Sequence, residues 1–156
     1  MEGLRTVAVL EAALRNRRWV ELRDVLEAQV ALLAAQLLLV TRSRGAFDVA
    51  AHGVAARSVS DADTLVAERW ARAVLRAARH GVFRPRCLAR AIALSRLLSS
   101  HGIDDHTIRI GVSREEGRFV AHAWVERGAA VLGDSPAYTR TFAPLTDVRI
   151  GREFFA

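Results

Sequence analysis

The chain has 156 residues, half of them apolar and a quarter charged, which suits one globular domain over residues 1–156 and excludes a disordered or fibrous chain. Its net charge of +6 comes wholly from arginine; the arginines are scattered, with no aromatic interleaving and no zinc-finger or helix-turn-helix signature. They read as a solvated positive surface, and no nucleic-acid partner is expected. The one cysteine excludes an internal disulfide and, beside scattered histidines, a paired-ligand zinc site, so neither metal nor cofactor is expected.

The N-terminus, Met1-Glu2-Gly3-Leu4-Arg5, lacks a secretory pattern, and a cytoplasmic location is expected. Residues 1–80 form a helical N-terminal region, poor in glycine and free of proline, with apolar residues three and four apart. Leu22, Val25, Leu26, Val30, Leu33, Leu37 and Val40 form one apolar stripe. The run from Val30 to Val40 falls short of the roughly 20 residues that span a bilayer. Extending it backward meets Gln29, Glu27 and Asp24. A helix packed partly on the core and partly on a partner is expected, with weak membrane-surface contact as the lesser use. The stretch Thr41–Gly45 reads as a break. Ser60-Asp61-Ala62-Asp63 starts a second helix, with Ser60 as N-cap; it buries Val66, Trp70, Val74 and Ala77 and ends near Gly81.

Residues 81–156 differ. Pro85 sits at the entrance of a short helix that opens at Cys87, buries Leu88, Ile92, Ser95 and Leu98, and stops before Gly102. The period then changes to two. Ile108, Ile110 and Val112 mark one strand, Ser113–Gly117 a turn, Phe119–Glu126 a second strand, and Ala129–Leu132 a third. The tail from Ser135 wraps back on the surface. Helices followed by an antiparallel meander give an α+β domain.

Cys87, His122 and Asp134 offer a nucleophile, a base and an acid. A thiol reacts as its thiolate, which a helix N-terminus and an imidazolium favour. In that chemistry Cys87 attacks a carbonyl, His122 carries the proton, Asp134 orients the imidazole, and the Cys87 N–H is an oxyanion donor. Each residue also has a plain structural use: a small buried thiol, a core histidine, a turn-forming aspartate. A plain two-residue loop at Arg127-Gly128 puts His122 and Asp134 on opposite faces. The pairing therefore requires an odd-length loop or a bulge near Gly128, or an Asp134 that lies past the strand and turns back. Trp124 reads as packing and Asp104-Asp105 as a solvated turn. His52, His80, His101 and His106 read as loop or helix-end residues.

The segments Cys87–Leu98, His101-Gly102-Ile103, Ile108–Val112, Ala121-His122-Ala123-Trp124-Val125-Glu126 and Gly133-Asp134 resemble the transglutaminase-like leader peptidases of lasso peptide biosynthesis. The similarity covers residues 70–134, Trp70 included, and is general over the helical half. It implies a transglutaminase-like, papain-like cysteine protease core. Its triad, Cys87, His122 and Asp134, removes the leader of a ribosomally made precursor whose leader has threonine at its penultimate position. It also implies partners: the precursor's leader peptide, a separate winged-helix-like leader-recognition protein, and an ATP-dependent lasso cyclase acting afterwards. No three-strand recognition segment is seen in residues 1–80, so the chain resembles the stand-alone protease. Another acyl transfer by the same triad, or a non-enzymatic peptide-binding adaptor, are the alternative readings.

Overall fold

A computed structural model describes the backbone of residues 2–41 and 60–145, and side chains from residue 18 onward within those spans. Three long helices come first: α1 (Glu2–Thr41), α2 (Asp61–His80) and α3 (Cys87–Ser100). A meander follows, β1 (Thr107–Glu115), β2 (Arg118–Arg127) and β3 (Ala130–Leu132), then a single turn α4 (Pro136–Thr139) and a short β4 (Ala143–Pro144). The sheet is antiparallel in the order β3-β2-β1-β4. Helix α3 lies at the centre, with α1 and α2 on one side and β2 on the other. The expected α+β arrangement, a helical half followed by an antiparallel sheet, is what the chain adopts.

Local sequence explains most boundaries. Helix α2 starts after Ser60, with Asp61 and Asp63 in its first turn, where the helix dipole favours acids. Ser60 caps without its hydroxyl; its carbonyl instead accepts from the Thr64 N–H and hydroxyl, both at 3.1 Å. Trp70, Val74 and Ala77 are buried as expected, with Val66 at the margin. Helix α3 ends in a Schellman motif: Ile103 N–H donates to Leu98 O (2.9 Å) and Gly102 N–H to Ser99 O (3.1 Å). The first hairpin turn is shorter than the sequence pattern suggested, and the second keeps two residues but is displaced by one. Glu116-Gly117, both at positive φ, join β1 to β2, and Gly128-Ala129 join β2 to β3.

The stripe expected to pack partly on the core and partly on a partner faces mostly outward, and another face of α1 packs inward. Ala28, Leu32 and Ala35 are fully buried, with Val25, Ala31 and Leu39 beside them. Six of the seven stripe residues (Leu22, Leu26, Val30, Leu33, Leu37 and Val40) are exposed instead. The facing helices explain this. Helices α2 and α3 present Ala67, Ala71, Ala73, Ala77, Ala89, Ala91 and Ala93 to the core, and an alanine face on α1 lets the three pack closely. Asp24 sits on that inner face. Both its oxygens accept from Arg69, at 2.6 Å each, which ties α1 to α2 and raises the guanidinium pKa. The expected break over Thr41–Gly45 lies, beyond Thr41, outside the described residues, as do His52 and residues 146–156.

A second ionic cluster corrects two expectations. Arg127 belongs to β2, not to a turn, and is buried. Its Nε donates to Asp105 Oδ1 (2.8 Å) and its Nη1 to Thr64 Oγ1 (2.9 Å), with Asp63 3.8 Å away. Asp105 is therefore a structural partner rather than a solvated turn residue. The hydrogen bond from Arg127 is the main reason its carboxyl titrates below the usual range.

Candidate active site

Cys87 is the first residue of α3, after Arg84-Pro85-Arg86. Arg86 is the N-cap in extended conformation and uses no side-chain bond there. The first intrahelical bond runs from Arg90 N–H to Arg86 O (3.1 Å). The N–H groups of the first turn, that of Cys87 included, have no intrahelical acceptor and point out of the helix end. The thiol is half-buried and free of any disulfide.

His122 lies in β2, opposite Gly111 of β1. It alternates with Ala123 and Val125, which join the main core. Its ring is enclosed by aromatics: Tyr138 edge-on at 5.1 Å, Phe142 at 5.1 Å and Trp124 stacked at 6.1 Å between centroids. Gly111 makes room for this cluster. A Cβ there would stand 2.8 Å from Phe142 Cβ and 2.9 Å from the Trp124 ring, closer than packed carbons approach. Trp124 is buried, and its indole N–H donates to Glu126 Oε1 (2.8 Å), so it is a packing residue as expected.

His122 Nε2 and Asp134 Oδ2 are 2.6 Å apart. They meet by a route that strand parity alone would forbid. The β2–β3 loop has two residues and no bulge, contrary to the odd-length loop or bulge expected. In the register Val125↔Leu132, a continued β3 would oppose position 134 to Ala123, on the wrong face. Pairing stops at Leu132, however, and Gly133 takes φ +69°. That left-handed conformation favours glycine, and a Cβ would also press on Leu94 at 3.1 Å. Asp134 is thus past the strand and turned back, the second geometry the sequence allowed. The Ser135 N–H donates to Asp134 Oδ1 (2.8 Å), so both carboxylate oxygens are held.

Two neighbours were not foreseen. Arg90 is one turn after Cys87 on α3, and its Nη2 stands 4.0 Å from Asp134 Oδ2. Its Nε is buried without a hydrogen-bond partner. The signal was the three-residue spacing, which sets Arg90 and Cys87 on one helix face. Tyr138, on α4, touches the His122 ring. Its phenol is held above the ordinary range, first by partial loss of solvent, then by the negative charges of Glu115, Asp134 and Cys87, with Arg90 opposing. Tyr138 and Phe142, four apart after the Ser135-Pro136 helix start, were hidden in a stretch read as surface wrapping.

The structure therefore joins His122 to Asp134 directly. Cys87 stands at the head of α3, one turn from the arginine beside that aspartate. Donation from Nε2 to the carboxylate leaves Nδ1 as the basic nitrogen of a neutral ring. An imidazole so oriented has the chemistry to serve as a general base, and a thiol at a helix N-terminus that of a nucleophile. Two other described histidines make local contacts away from this pair. His101 caps α3, with Nδ1 donating to Leu97 O (2.8 Å) and its ring 4.4 Å from that of Trp70. His106 donates from Nδ1 to Ile103 O (2.8 Å) and meets the Ser95 hydroxyl through Nε2 (2.8 Å). His80 ends α2. Among the described residues no group of three or more His, Cys, Asp or Glu is arranged to hold a metal ion.

A helix headed by cysteine, packed on an antiparallel strand bearing histidine and followed by aspartate, defines a class of thiol acyl-transfer folds. The model of the Transglutaminase-like superfamily matches residues 29–147. The chain belongs to that family. It is also 42% identical over 55 residues to the Microcin J25-processing protein McjB of Escherichia coli. That segment is 35% of this chain and 25% of the relative, so the chain spans about a quarter of the relative's length. No solved structure matches the chain.

Proposed function

We propose that this protein is a cysteine protease that removes the leader from a ribosomally made lasso peptide precursor. The observation that carries the reading is the 2.6 Å bond between His122 and Asp134 in a chain whose sole thiol heads α3. Membership of the transglutaminase-like family and the likeness to a microcin-processing protein support it. In this reading His122 Nδ1 takes the proton from Cys87, and the thiolate adds to the carbonyl that ends the leader. The oxyanion is met by N–H groups of the first turn of α3. The imidazolium then protonates the departing core-peptide amine, leaving a leader thioester on Cys87. Water, deprotonated by the same imidazole, releases the leader acid and restores the thiol. Asp134 keeps the ring in the tautomer that the first step needs.

The protease works with a separate leader-recognition protein and before an ATP-dependent cyclase, in the cytoplasm. A precursor peptide is incubated with this chain and a recognition partner, and the products are read by mass. Release of free leader acid and intact core peptide supports the reading. Appearance of the leader acyl group on an added amine, without hydrolysis, would replace it with acyl transfer by the same residues. No change in mass with any precursor would remove the protease reading.

A further inference from the structure

Three arginines bind a carboxylate through Nε: Arg69 on Asp24 (2.6 Å), Arg109 on Glu126 (2.9 Å) and Arg127 on Asp105 (2.8 Å). Arg90 does not. Its Nε is buried with no partner, and its Nη2 stands 4.0 Å from Asp134 Oδ2. That distance is too long for a hydrogen bond but short enough for attraction between charges. A buried donor left unpaired costs stability, so holding the fold together does not explain this side chain.

Its position does. Arg90 is three residues after Cys87 in α3, on the same helix face. Asp134 reaches His122 only because the chain leaves β3 at Gly133, so no strand ladder holds the carboxylate. Its oxygens are held by the Ser135 N–H (2.8 Å) and the His122 ring (2.6 Å), and neither partner is a cation while the imidazole is neutral. The Asp134 side chain is only 15% exposed, and a negative charge there is poorly solvated. Among the described residues Arg90 is the only arginine within 4.0 Å of it. Arg84 and Arg86, which precede Cys87, are exposed to water, which screens their charge. The field of Arg90 also reaches the Tyr138 phenol, where it opposes those of Asp134 and Cys87.

We propose that Arg90 is a positioning residue: its positive charge holds the Asp134 carboxylate against His122, and its place on α3 ties that pair to the helix bearing Cys87. This role rests on the triad reading proposed above and adds a fourth group to it. With thiol and imidazole neutral, Arg90 balances the one negative charge of the site. The carboxylate then stays on Nε2 as the ring takes the Cys87 proton. Because the effect is one of charge across 4.0 Å, lysine replaces arginine here and a neutral side chain does not.

Full-length Arg90→Gln and Arg90→Lys test this in two assays. The first, alkylation of Cys87 by iodoacetamide at pH 7, needs no precursor. Arg90→Gln slows it about fivefold, and Arg90→Lys stays within about twofold of the unsubstituted chain. In an Asp134→Asn background Arg90→Gln changes the rate less than about twofold, because a charge that works through Asp134 has nothing left to hold. The second assay is cleavage of the precursor with its recognition partner. Arg90→Gln lowers kcat about tenfold and leaves KM within about threefold. Equal alkylation of Arg90→Gln and the unsubstituted chain would overturn the proposal. So would a full further loss in the Asp134→Asn background, which would make Arg90 act on Cys87 directly. A raised KM with unchanged kcat would make it a substrate contact instead. Equal losses in Arg90→Lys and Arg90→Gln, with a lowered thermal melt in both, would make it a packing residue and overturn the proposal as well. If the unsubstituted chain cleaves no precursor, the protease reading fails, and alkylation still decides the role of Arg90.

Discussion

Strand β2 contributes to two buried polar pairs, and the two differ in how completely they are satisfied. Near its C-terminal end Arg127 spends its donors on Asp105, Thr64 and Asp63, and the cluster ties the sheet to α2. Nearer the middle His122 gives one nitrogen to Asp134. Its ring packs against Tyr138 and Phe142, and the bonded Asp134 lies 4.0 Å from Arg90, whose Nε is buried and unsatisfied. Saturation marks a structural pair. Capacity left over is what the proposed proton transfer from Cys87 would use.

The comparison breaks if the two pairs respond alike. The largest effect is expected at Cys87→Ala, which removes the nucleophile: leader cleavage falls to the uncatalysed level, with an unchanged thermal melt. Asp134→Asn comes next. Loss of the oriented tautomer lowers kcat by about 10²- to 10⁴-fold, measured by product mass against time, with little change in melting temperature. Arg127→Met should do the reverse. It strands the Asp105 carboxylate and costs about 3 kcal/mol of stability, read from urea unfolding, while kcat of the folded fraction stays within a few-fold.

The smallest expected effect concerns pH. Burial, first of all, pushes the His106 imidazole below its ordinary value of 6.5, against an opposing hydrogen bond to Ile103 and the charges of Asp104 and Asp105. A depressed histidine binds fewer protons folded than unfolded. Its contribution to stability is complete above pH 6.5 and declines as pH falls toward the folded value. His106→Gln therefore flattens the drop in melting temperature between neutral and mildly acid pH. An unchanged slope would mean that the drop arises elsewhere.

Much of this architecture was legible in residues 60–134. Ser60-Asp61, Pro85, Gly102 and the switch to two-residue alternation at Thr107 each mark a boundary by local chemistry. The candidate site was legible as a set of residue types. The bend that joins it was visible only as an alternative, because pairing parity cannot say where a strand stops; Gly133 decides that. For helix α1 the leucine and valine stripe was visible in the sequence, but which face packs inward was not. The depth available between α1 and the alanine-rich α2 and α3 is a tertiary property, and it selects Ala28, Leu32 and Ala35. Tyr138 and Phe142 were missed for the same reason: what brings them to the site is the packing of the segment after Asp134, not a motif.

The central claim is that His122 and Asp134 act on Cys87, and because Cys87 is the sole thiol it can be tested without substrate. The rate of iodoacetamide alkylation is measured at pH 7 for the native chain, His122→Ala, Asp134→Asn and the urea-unfolded chain. The account predicts that native Cys87 reacts faster than in the unfolded chain and that both substitutions slow it at least tenfold. Equal rates in the native chain and the two variants would contradict it.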